Sequence, residues 1–285
     1  MTAAFRPMPR SLADLVGGAA HAALLAELHT WPKPGLVSHI DTGSHDDMDM
    51  QILAASAASI LPFFAQLALA GAAGSAMGAL REIGMAAESA MMEATGGVNA
   101  HRGAIFGLGL LCAAAGAAWS STAGRSWRAA DLCGAVRRRW GKSIMSGPIP
   151  EQSHGAAALR RFGAGGARMQ AACGFPQILA VGLPALRQAR LLAPGDEEAA
   201  RVHGFFALLA TIEDTNLLHR GGAEGLRFAQ QSAAGFLEKG GVAQVGWRDA
   251  AASVHRDFIA RRLSPGGCAD LLAISLFLDA LETIR

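Results

Sequence analysis

The stretch SLADLVGGAAHAALLAEL, residues 11–28, decides the fold class of this chain. Its large apolar residues recur three or four positions apart, as at Leu12 and Leu15 and again at Leu24 and Leu28. This spacing places them on one face of an α-helix. Most of the chain repeats the pattern. Strand signals are nearly absent, because the chain has no Tyr and no stretch alternates cleanly between apolar and polar residues. The sequence predicts an all-α fold.

Helices are predicted at regular intervals, with glycine, proline and polar residues between them. The last helix has the clearest start, because Ser264 would be its N-cap and Pro265 its first residue. Residues 137–150 are predicted to form an exposed connector or lid. The predicted helices lie near residues 11–29, 47–70, 73–94, 101–119, 126–140, 153–162, 166–192 (broken near 174–176), 196–217, 222–238, 242–262 and 268–284.

The composition is typical of one large domain, residues 1–285. At 51% hydrophobic residues, a chain of 285 residues can bury a sizeable core, here rich in Ala and Gly. The net charge is +2 with both signs interspersed, which is unlike the basic surface of a protein that binds nucleic acid. Any anionic ligand must therefore be bound by local groups.

Two long uncharged runs, residues 52–80 and 103–124, raise the question of a membrane. A span takes about 20 predominantly apolar residues, but these runs are mostly Ala, Gly and Ser, and Pro62 interrupts the first. They predict buried helices of a tightly packed bundle rather than membrane spans. The four cysteines lie far apart, which indicates reduced core thiols, and the N-terminus has no apolar run. A cytoplasmic protein without membrane contact is expected.

The stretch HIDTGSHDDMD, residues 39–49, holds four aspartates in a chain that is only 17% charged. Asp46 and Asp49 lie three positions apart at the start of a predicted helix, so they would share one face. Helix capping is the alternative, but it explains one or two aspartates rather than four. Clustered carboxylates beside phosphates usually hold Mg²⁺. We therefore expect Asp46, Asp47 and Asp49 to bind magnesium.

A second acidic stretch, EDTNLLHRGG, follows an apolar helix. It brings Glu213, Asp214 and Asn216 within two turns of His219 and Arg220. Such groups at a buried helix end cost free energy unless they are paired with a ligand or with one another. We expect a functional role here, with Asp214 as a further magnesium ligand. The two acidic stretches would then converge on one magnesium-bound phosphate.

Three glycine turns, in TGGVNAHRG, GAGGAR and HRGG, each lie next to an arginine. Gly96 and Gly97 would present backbone N–H groups to an anion at the start of a helix. The alternative, given equal weight, is a glycine cap that ends one helix before the next begins. Arg102, Arg168 and Arg220 are predicted to bind phosphates.

Six ordered motifs closely resemble the triphosphoribosyl-dephospho-CoA synthases over residues 19–278: KPGLV…HDDMD, TGGVNAHRGAIF, SHG…GAR, GFP, EDTNLLHRGG and SPGGCADLLA. The resemblance implies that the ribose 2′-hydroxyl of 3′-dephospho-CoA attacks the anomeric carbon of ATP and that adenine leaves. The product would be the prosthetic-group precursor for the acyl-carrier subunit of malonate decarboxylase, which we favour, or of citrate lyase. A phosphoribosyl-dephospho-CoA transferase and the acyl-carrier protein would receive it. A homodimer is left open.

The chemistry assigns roles to the candidate residues. Cleavage of an N-glycosidic bond passes through an oxocarbenium-like state, which nearby carboxylates stabilise. We expect Asp46, Asp49 and Asp214 to be catalytic, while Glu213, Glu88 and His101 remain alternatives for the base and the proton donor to adenine. Magnesium is the expected cofactor and ATP a substrate. The predicted substrate-binding residues are Lys33, Gly96, Gly97, Asn99, Arg102, His154, Arg168, Asn216, His219, Arg220 and Gly221.

Two other functions fit the same residues less well. A magnesium-dependent all-α hydrolase could act at the same anomeric carbon of a nucleotide ribose, and it would release adenine without an acceptor. A helical adaptor without enzymatic activity would leave the clustered acids unexplained.

Overall fold

A computed structural model describes residues 7–122, 127–149 and 154–284. Within these residues every regular element is a helix and none is a strand, which confirms the predicted all-α fold. The helices are α1 Arg10–Leu28, α2 Met50–Ala72, α3 Met77–Ala94, α4 Arg102–Thr122, α5 Ala129–Ser146, α6 His154–Phe162, α7 Gly166–Ala172, α8 Leu183–Leu192, α9 Glu197–Leu209, α10 Thr215–Glu238, α11 Trp247–Ala260 and α12 Gly266–Thr283. A π-helical turn, Ile178–Gly182, leads into α8, and a 3₁₀ turn, Gly241–Ala243, follows α10.

The core forms around α2, which packs against α1, α3 and α4. Glycines let α2 and α4 approach closely: a Cβ atom on Gly71 would overlap the backbone of Ala113, and one on Gly116 would overlap that of Ala68. Such close contact maximises dispersion between two small-residue faces. The prediction of tightly packed Ala- and Gly-rich helices is therefore correct. Helix α12 contacts α1, α4 and α9 and closes the other side of the core.

Three helices, α1, α2 and α4, are long and apolar enough to cross a membrane by length and composition alone. In α4, 72% of the most apolar window is buried by the rest of the protein. The expectation of no membrane contact stays a prediction.

Several predicted boundaries are wrong. Helix α2 begins at Met50 rather than near residue 47, so Asp46 and Asp49 do not share a helical face. Helix α5 runs to Ser146, so most of the predicted connector is helical. The predicted helix 196–217 ends at Leu209, and α10 begins at Thr215 because Asp214 caps it. The break predicted near residues 174–176 is present between α7 and the π-helical turn.

The start of α12 and one cysteine also differ from expectation. Pro265 occupies the N-cap position of α12, and the Ser264 hydroxyl binds His45 instead of capping the helix. Cys112, Cys133 and Cys268 are buried thiols as predicted, but Cys173 is exposed. Burial raises the pKa of Cys133 to about 12, so this thiol stays protonated.

Candidate active site

Three helices, α4, α10 and α12, begin close to one another beside the end of α1. Seven residues in or next to these elements form a cluster that we call the polar centre: Glu27, Lys33, His101, Gly103, Asp214, Cys268 and Asp270. Because helix N-termini carry partial positive charge, their convergence favours bound anions.

Asp214 joins two helices. One carboxylate oxygen accepts hydrogen bonds from the backbone N–H groups of Asn216 (2.8 Å) and Leu217 (3.1 Å) at the start of α10. The other accepts from the N–H of Cys268 (2.8 Å) in the first turn of α12. Burial raises the pKa of Asp214, whereas these N–H groups act in the opposite direction. Both carboxylate oxygens of Asp214 therefore accept hydrogen bonds from backbone N–H groups at helix N-termini.

Asp270, in the second turn of α12, reaches the start of α4. A Cβ atom on Gly103 would overlap its carboxylate, so any side chain there would displace Asp270 from this position. The backbone N–H of Ala104 interacts with the carboxylate and lowers its pKa. Burial acts more strongly and raises the pKa of Asp270 well above its ordinary value, and the charges of Glu27 and Asp214 add to this rise. Unlike Asp214, Asp270 remains partly exposed.

A buried ion pair forms the floor of the polar centre. The Lys33 ammonium, 1% exposed, pairs with Glu27 from the last turn of α1. Burial lowers the pKa of Lys33, and the charge of Glu27 opposes that decrease. The loop that carries Lys33 is fixed from two sides. Arg201 donates to the Thr30 hydroxyl (2.7 Å), and the His255 ring contacts the Lys33 carbonyl (2.8 Å).

His101 is the neutral member of the centre. Its Nδ1 lies 2.7 Å from the Ser56 hydroxyl of α2. Burial lowers the pKa of His101 to about 4, and the positive charge of Lys33 adds to the effect. The imidazole is therefore uncharged at neutral pH and can donate or accept one further hydrogen bond.

A second polar cluster lies beside the start of α12. We call it the His45 corner, and it consists of Ser44, His45, Asp46, Asp47, Arg220 and Ser264. The Nε2 atom of His45 contacts the Ser264 hydroxyl (2.7 Å), and its Nδ1 contacts Asp47 (3.2 Å). Arg220 of α10 donates to the carbonyl of Ser44 (3.1 Å). Burial, followed by the charge of Arg220, lowers the pKa of His45. Asp46 and Asp47 are exposed at this corner.

The His45 corner and the polar centre are neighbours. The corner holds Ser264, and the polar centre holds Cys268, four residues later in the chain. Both acidic stretches thus contact the start of α12, through His45 at Ser264 and through Asp214 at Cys268. The described residues show no direct contact between Asp214 and Asp46 or Asp47, so their convergence on one metal ion stays a prediction.

Two predicted metal ligands cap helices. The Asp49 side chain accepts from the N–H of Ile52 (2.9 Å) at the start of α2, and Asp214 caps α10. Within the residues that the structure describes, no group of three or more His, Cys, Asp or Glu side chains is placed to hold a metal ion. The carboxylates of Asp46 and Asp47 remain exposed. Asp46 and Asp47 are therefore the residues that could hold Mg²⁺, which usually binds one or two carboxylates and keeps several waters.

The glycine turn before α4 is a helix cap. The N–H of Gly97 bonds to the carbonyl of Met92 (2.7 Å), and that of Gly96 bonds to the carbonyl of Glu93 (3.3 Å). With positive φ at Gly96, these two bonds form a Schellman cap that ends α3. The expectation that both N–H groups face an anion is wrong in this structure. Asn99 follows the cap and is exposed.

The predicted arginines have different surroundings. Arg102 pairs with Glu88 of α3 (3.0 Å), so these two candidates lie together at the start of α4. The guanidinium of Arg168 donates to four backbone carbonyls near the end of α5, at 2.6–3.1 Å. These bonds argue against phosphate binding by Arg168. Arg220 belongs to the His45 corner.

The remaining candidate residues lie in α10 and α6 or next to them. Glu213 and His219 are exposed, and Asn216 is partly buried in the first turn of α10. A Cβ atom on Gly221 would lie 2.6 Å from Leu263, which gives this glycine a packing role. His154 begins α6, but its side chain lies outside the described residues.

Glu27 and Asp270 are the functional candidates that sequence reasoning missed. Asp270 lies in the SPGGCAD motif, whose aspartate received no role from the sequence. Glu27 is the one acidic residue in the helix end LLAELHT, which is otherwise mostly apolar. A lone acid in such a segment is the sequence feature that could have indicated a buried, functional carboxylate. Asp270 gives no comparable signal, because the helix start that it contacts, at Gly103, is distant in sequence.

Comparison with known proteins assigns the chain to a class. Residues 13–285 match the family CitG, ATP:dephospho-CoA triphosphoribosyl transferase. A Klebsiella pneumoniae protein named 2-(5''-triphosphoribosyl)-3'-dephosphocoenzyme-A synthase is 40% identical, with 96% of this chain and 93% of that protein aligned. An Azotobacter vinelandii protein that carries the same name preceded by "Probable" is 40% identical, with 99% and 97% aligned. No solved structure matches.

The polar centre and these matches define an all-α transferase that handles phosphorylated substrates. The chain belongs to the ATP:dephospho-CoA triphosphoribosyl transferase family. The resemblance drawn from the six motifs is thereby confirmed.

Proposed function

We propose that the chain transfers the triphosphoribosyl group of Mg-ATP to the 2′-hydroxyl of 3′-dephospho-CoA, with release of adenine. The observation that carries this proposal is the polar centre, where distant family motifs meet. Lys33, His101, Asp214 and Asp270 come from four of those motifs, and the starts of α4, α10 and α12 meet around them. An oxocarbenium-like transition state and a triphosphate are the charges that such a site can stabilise.

We assign the phosphates to the His45 corner and the starts of α10 and α12. Arg220 and the two helix N-termini supply positive charge. Asp46 and Asp47 would hold Mg²⁺, which screens the triphosphate and orients it when bound. Asp214 would keep the helix starts in register rather than bind the metal.

The deciding experiment is mass spectrometry of the product formed from ATP and dephospho-CoA. We expect a product that carries the triphosphoribosyl group, together with one adenine per turnover. Adenine release that is equally fast without dephospho-CoA would identify a hydrolase instead. No reaction and no thermal response to Mg-ATP would support the helical adaptor.

The acceptor protein is a separate proposal. We propose that the product serves the acyl-carrier subunit of malonate decarboxylase, with citrate lyase as the alternative. The reaction product, together with a phosphoribosyl-dephospho-CoA transferase, would be offered to each purified carrier. Modification of the citrate lyase carrier alone would contradict the malonate assignment. We place the enzyme in the cytoplasm, where ATP is abundant.

A further inference from the structure

We propose that Asp270 takes the proton from the attacking ribose hydroxyl of dephospho-CoA. This inference rests on the proposed function and adds a catalytic residue to it. The reaction requires a base beside the hydroxyl, and the polar centre holds three carboxylates, Glu27, Asp214 and Asp270. These three carboxylates differ in their hydrogen-bond partners and in their exposure, and these differences identify the one that can act as the base.

Asp214 and Glu27 are already committed to other groups. Both oxygens of Asp214 accept backbone N–H groups, and the residue is 2% exposed. Glu27 is 7% exposed and pairs with the Lys33 ammonium. Asp214 therefore has no free oxygen for a substrate hydroxyl, and the charge of Glu27 is balanced by a buried ammonium. Of the three acidic residues, Asp270 is the one that is half-buried rather than fully buried.

Asp270 is also held in a fixed position. Its carboxylate lies against Gly103, where any Cβ atom would overlap it, and beside the N–H of Ala104. The side chain thus bridges from α12 to the first turn of α4. A base held on two rigid elements loses little entropy when the substrate binds.

The imidazole of His101, just before the start of α4, adds a second hydrogen-bonding group to this end of the polar centre. His101, two residues before Gly103, is 7% exposed, and its Nδ1 contacts Ser56. The neutral ring has one N–H donor and one acceptor nitrogen, so its other nitrogen, Nε2, can make one further hydrogen bond. A ribose hydroxyl or an adenine nitrogen placed there would satisfy it.

The proposed step balances in protons and electrons. The hydroxyl proton moves to Asp270 as the bond from the hydroxyl oxygen to the anomeric carbon forms. The electron pair of the broken carbon–nitrogen bond leaves with adenine, which takes up a proton from water. Asp270 then returns its proton to water. Burial raises the pKa of Asp270, which makes its ionised form a better proton acceptor, and the reaction uses that ionised form.

The test compares Asp270→Asn with Asp279→Asn, a change of the same type on the same helix. Asp279 pairs with Arg190 (2.7 Å), outside the polar centre. Single-turnover adenine release, the Kd for ATP and the melting temperature are measured for each variant. For Asp270→Asn we expect release about 10²- to 10⁴-fold slower, with the Kd for ATP changed less than about threefold. For Asp279→Asn both values should stay within about twofold of wild type.

Two results would overturn the proposal. One is a folded Asp270→Asn variant that releases adenine within about tenfold of the wild-type rate. The other is a loss of ATP affinity as large as the loss of rate, which would indicate a binding role. If the asparagine variant does not fold, adenine release by Asp270→Ala is measured with and without added formate. Formate is a small carboxylate and should restore turnover if Asp270 is the base. A folded Asp270→Ala variant that formate does not rescue would contradict the proposal. If wild type itself makes no triphosphoribosyl product, the proposed function fails first.

Discussion

At the scale of single residues, Asp214 has a structural role that the sequence did not predict. Its carboxylate accepts N–H groups from the starts of α10 and α12. We predict that Asp214→Ala lowers the free energy of unfolding by about 2 kcal/mol, because both helices lose a cap. Chemical denaturation measures this loss. Asp46→Ala, at an exposed aspartate, is the control and should change the free energy by less than about 0.5 kcal/mol. An Asp214→Ala variant as stable as wild type would favour the original assignment of Asp214 to the metal.

His101 predicts a dependence of stability on pH. Burial lowers its pKa from the ordinary value of 6.5 to about 4, so the folded protein keeps the imidazole neutral. As pH falls below 6.5, the unfolded chain takes up a proton that the folded chain does not, so stability falls until about pH 4. We predict that wild type loses on the order of 1–3 kcal/mol more than His101→Gln between pH 7 and pH 4. His39→Gln, at an exposed histidine, should follow wild type in the same denaturant titrations. Equal slopes for wild type and His101→Gln would contradict the prediction.

Residue types could be predicted at the site better than residue roles. Lys33, His101 and Asp214 were expected to be functional, and all three lie in the polar centre. Their partners could not be predicted, because Asp270 meets Gly103 only after α12 packs against α4. The same limit applies to Arg168. The glycines beside it suggested a phosphate site, whereas folding brings the end of α5 to its guanidinium.

At the scale of elements, the close crossing of α2 and α4 predicts a contrast between glycines. Gly116→Ala would place a methyl group in the backbone of Ala68, and we expect a loss of about 1–3 kcal/mol in unfolding free energy. Gly84 lies in α3, and a Cβ atom there would meet nothing within 4 Å, so Gly84→Ala should gain roughly 0.5–1 kcal/mol from helix propensity. Thermal melts of the two variants test the pair. Equal shifts would show that the helices are not in close contact.

The end of α5 predicts a second effect at this scale. Arg168 donates to the carbonyls of Ile144, Met145, Gly147 and Pro148. Lysine cannot reproduce this planar set of donors. We predict that Arg168→Lys lowers the melting temperature, by about 1–2 kcal/mol in unfolding free energy, while the Kd for ATP changes less than about twofold. Arg220→Lys is the matched variant and should weaken nucleotide binding instead. If Arg168→Lys also weakens ATP binding tenfold, Arg168 contacts phosphate.

Helices were predictable as elements, but several of their ends were not. Apolar periodicity identifies a helix because burial of one face drives its formation. The start of α10 depends on Asp214, and the start of α12 depends on the same side chain from another helix. Local sequence proposed Ser264 as that cap, yet His45 binds its hydroxyl. Caps that come from distant elements cannot be found in a short window of sequence.

At the scale of the whole molecule, polar groups collect where helices start, while the interior between the helices is almost wholly apolar. The buried charges of the polar centre are few, and each has a partner or an N–H group among the described residues. The His45 corner differs because Asp46 and Asp47 are exposed beside Arg220. The molecule therefore separates a rigid interior of the site from an outer acidic edge, and our proposal places magnesium at that edge.

This separation predicts how ligands change the stability of the entire chain. At a hundred times its Kd, Mg-ATP should add about 2.7 kcal/mol and raise the melting temperature by about 4 °C. With EDTA present the shift should be much smaller, because the uncompensated triphosphate meets Asp46 and Asp47. The double variant Asp46→Asn/Asp47→Asn should lose this difference between magnesium and EDTA. Asp131→Asn/Asp249→Asn, which removes the same charge from exposed positions on α5 and α11, should keep it. If the control double variant loses the difference equally, net charge rather than a magnesium site at the His45 corner governs nucleotide binding.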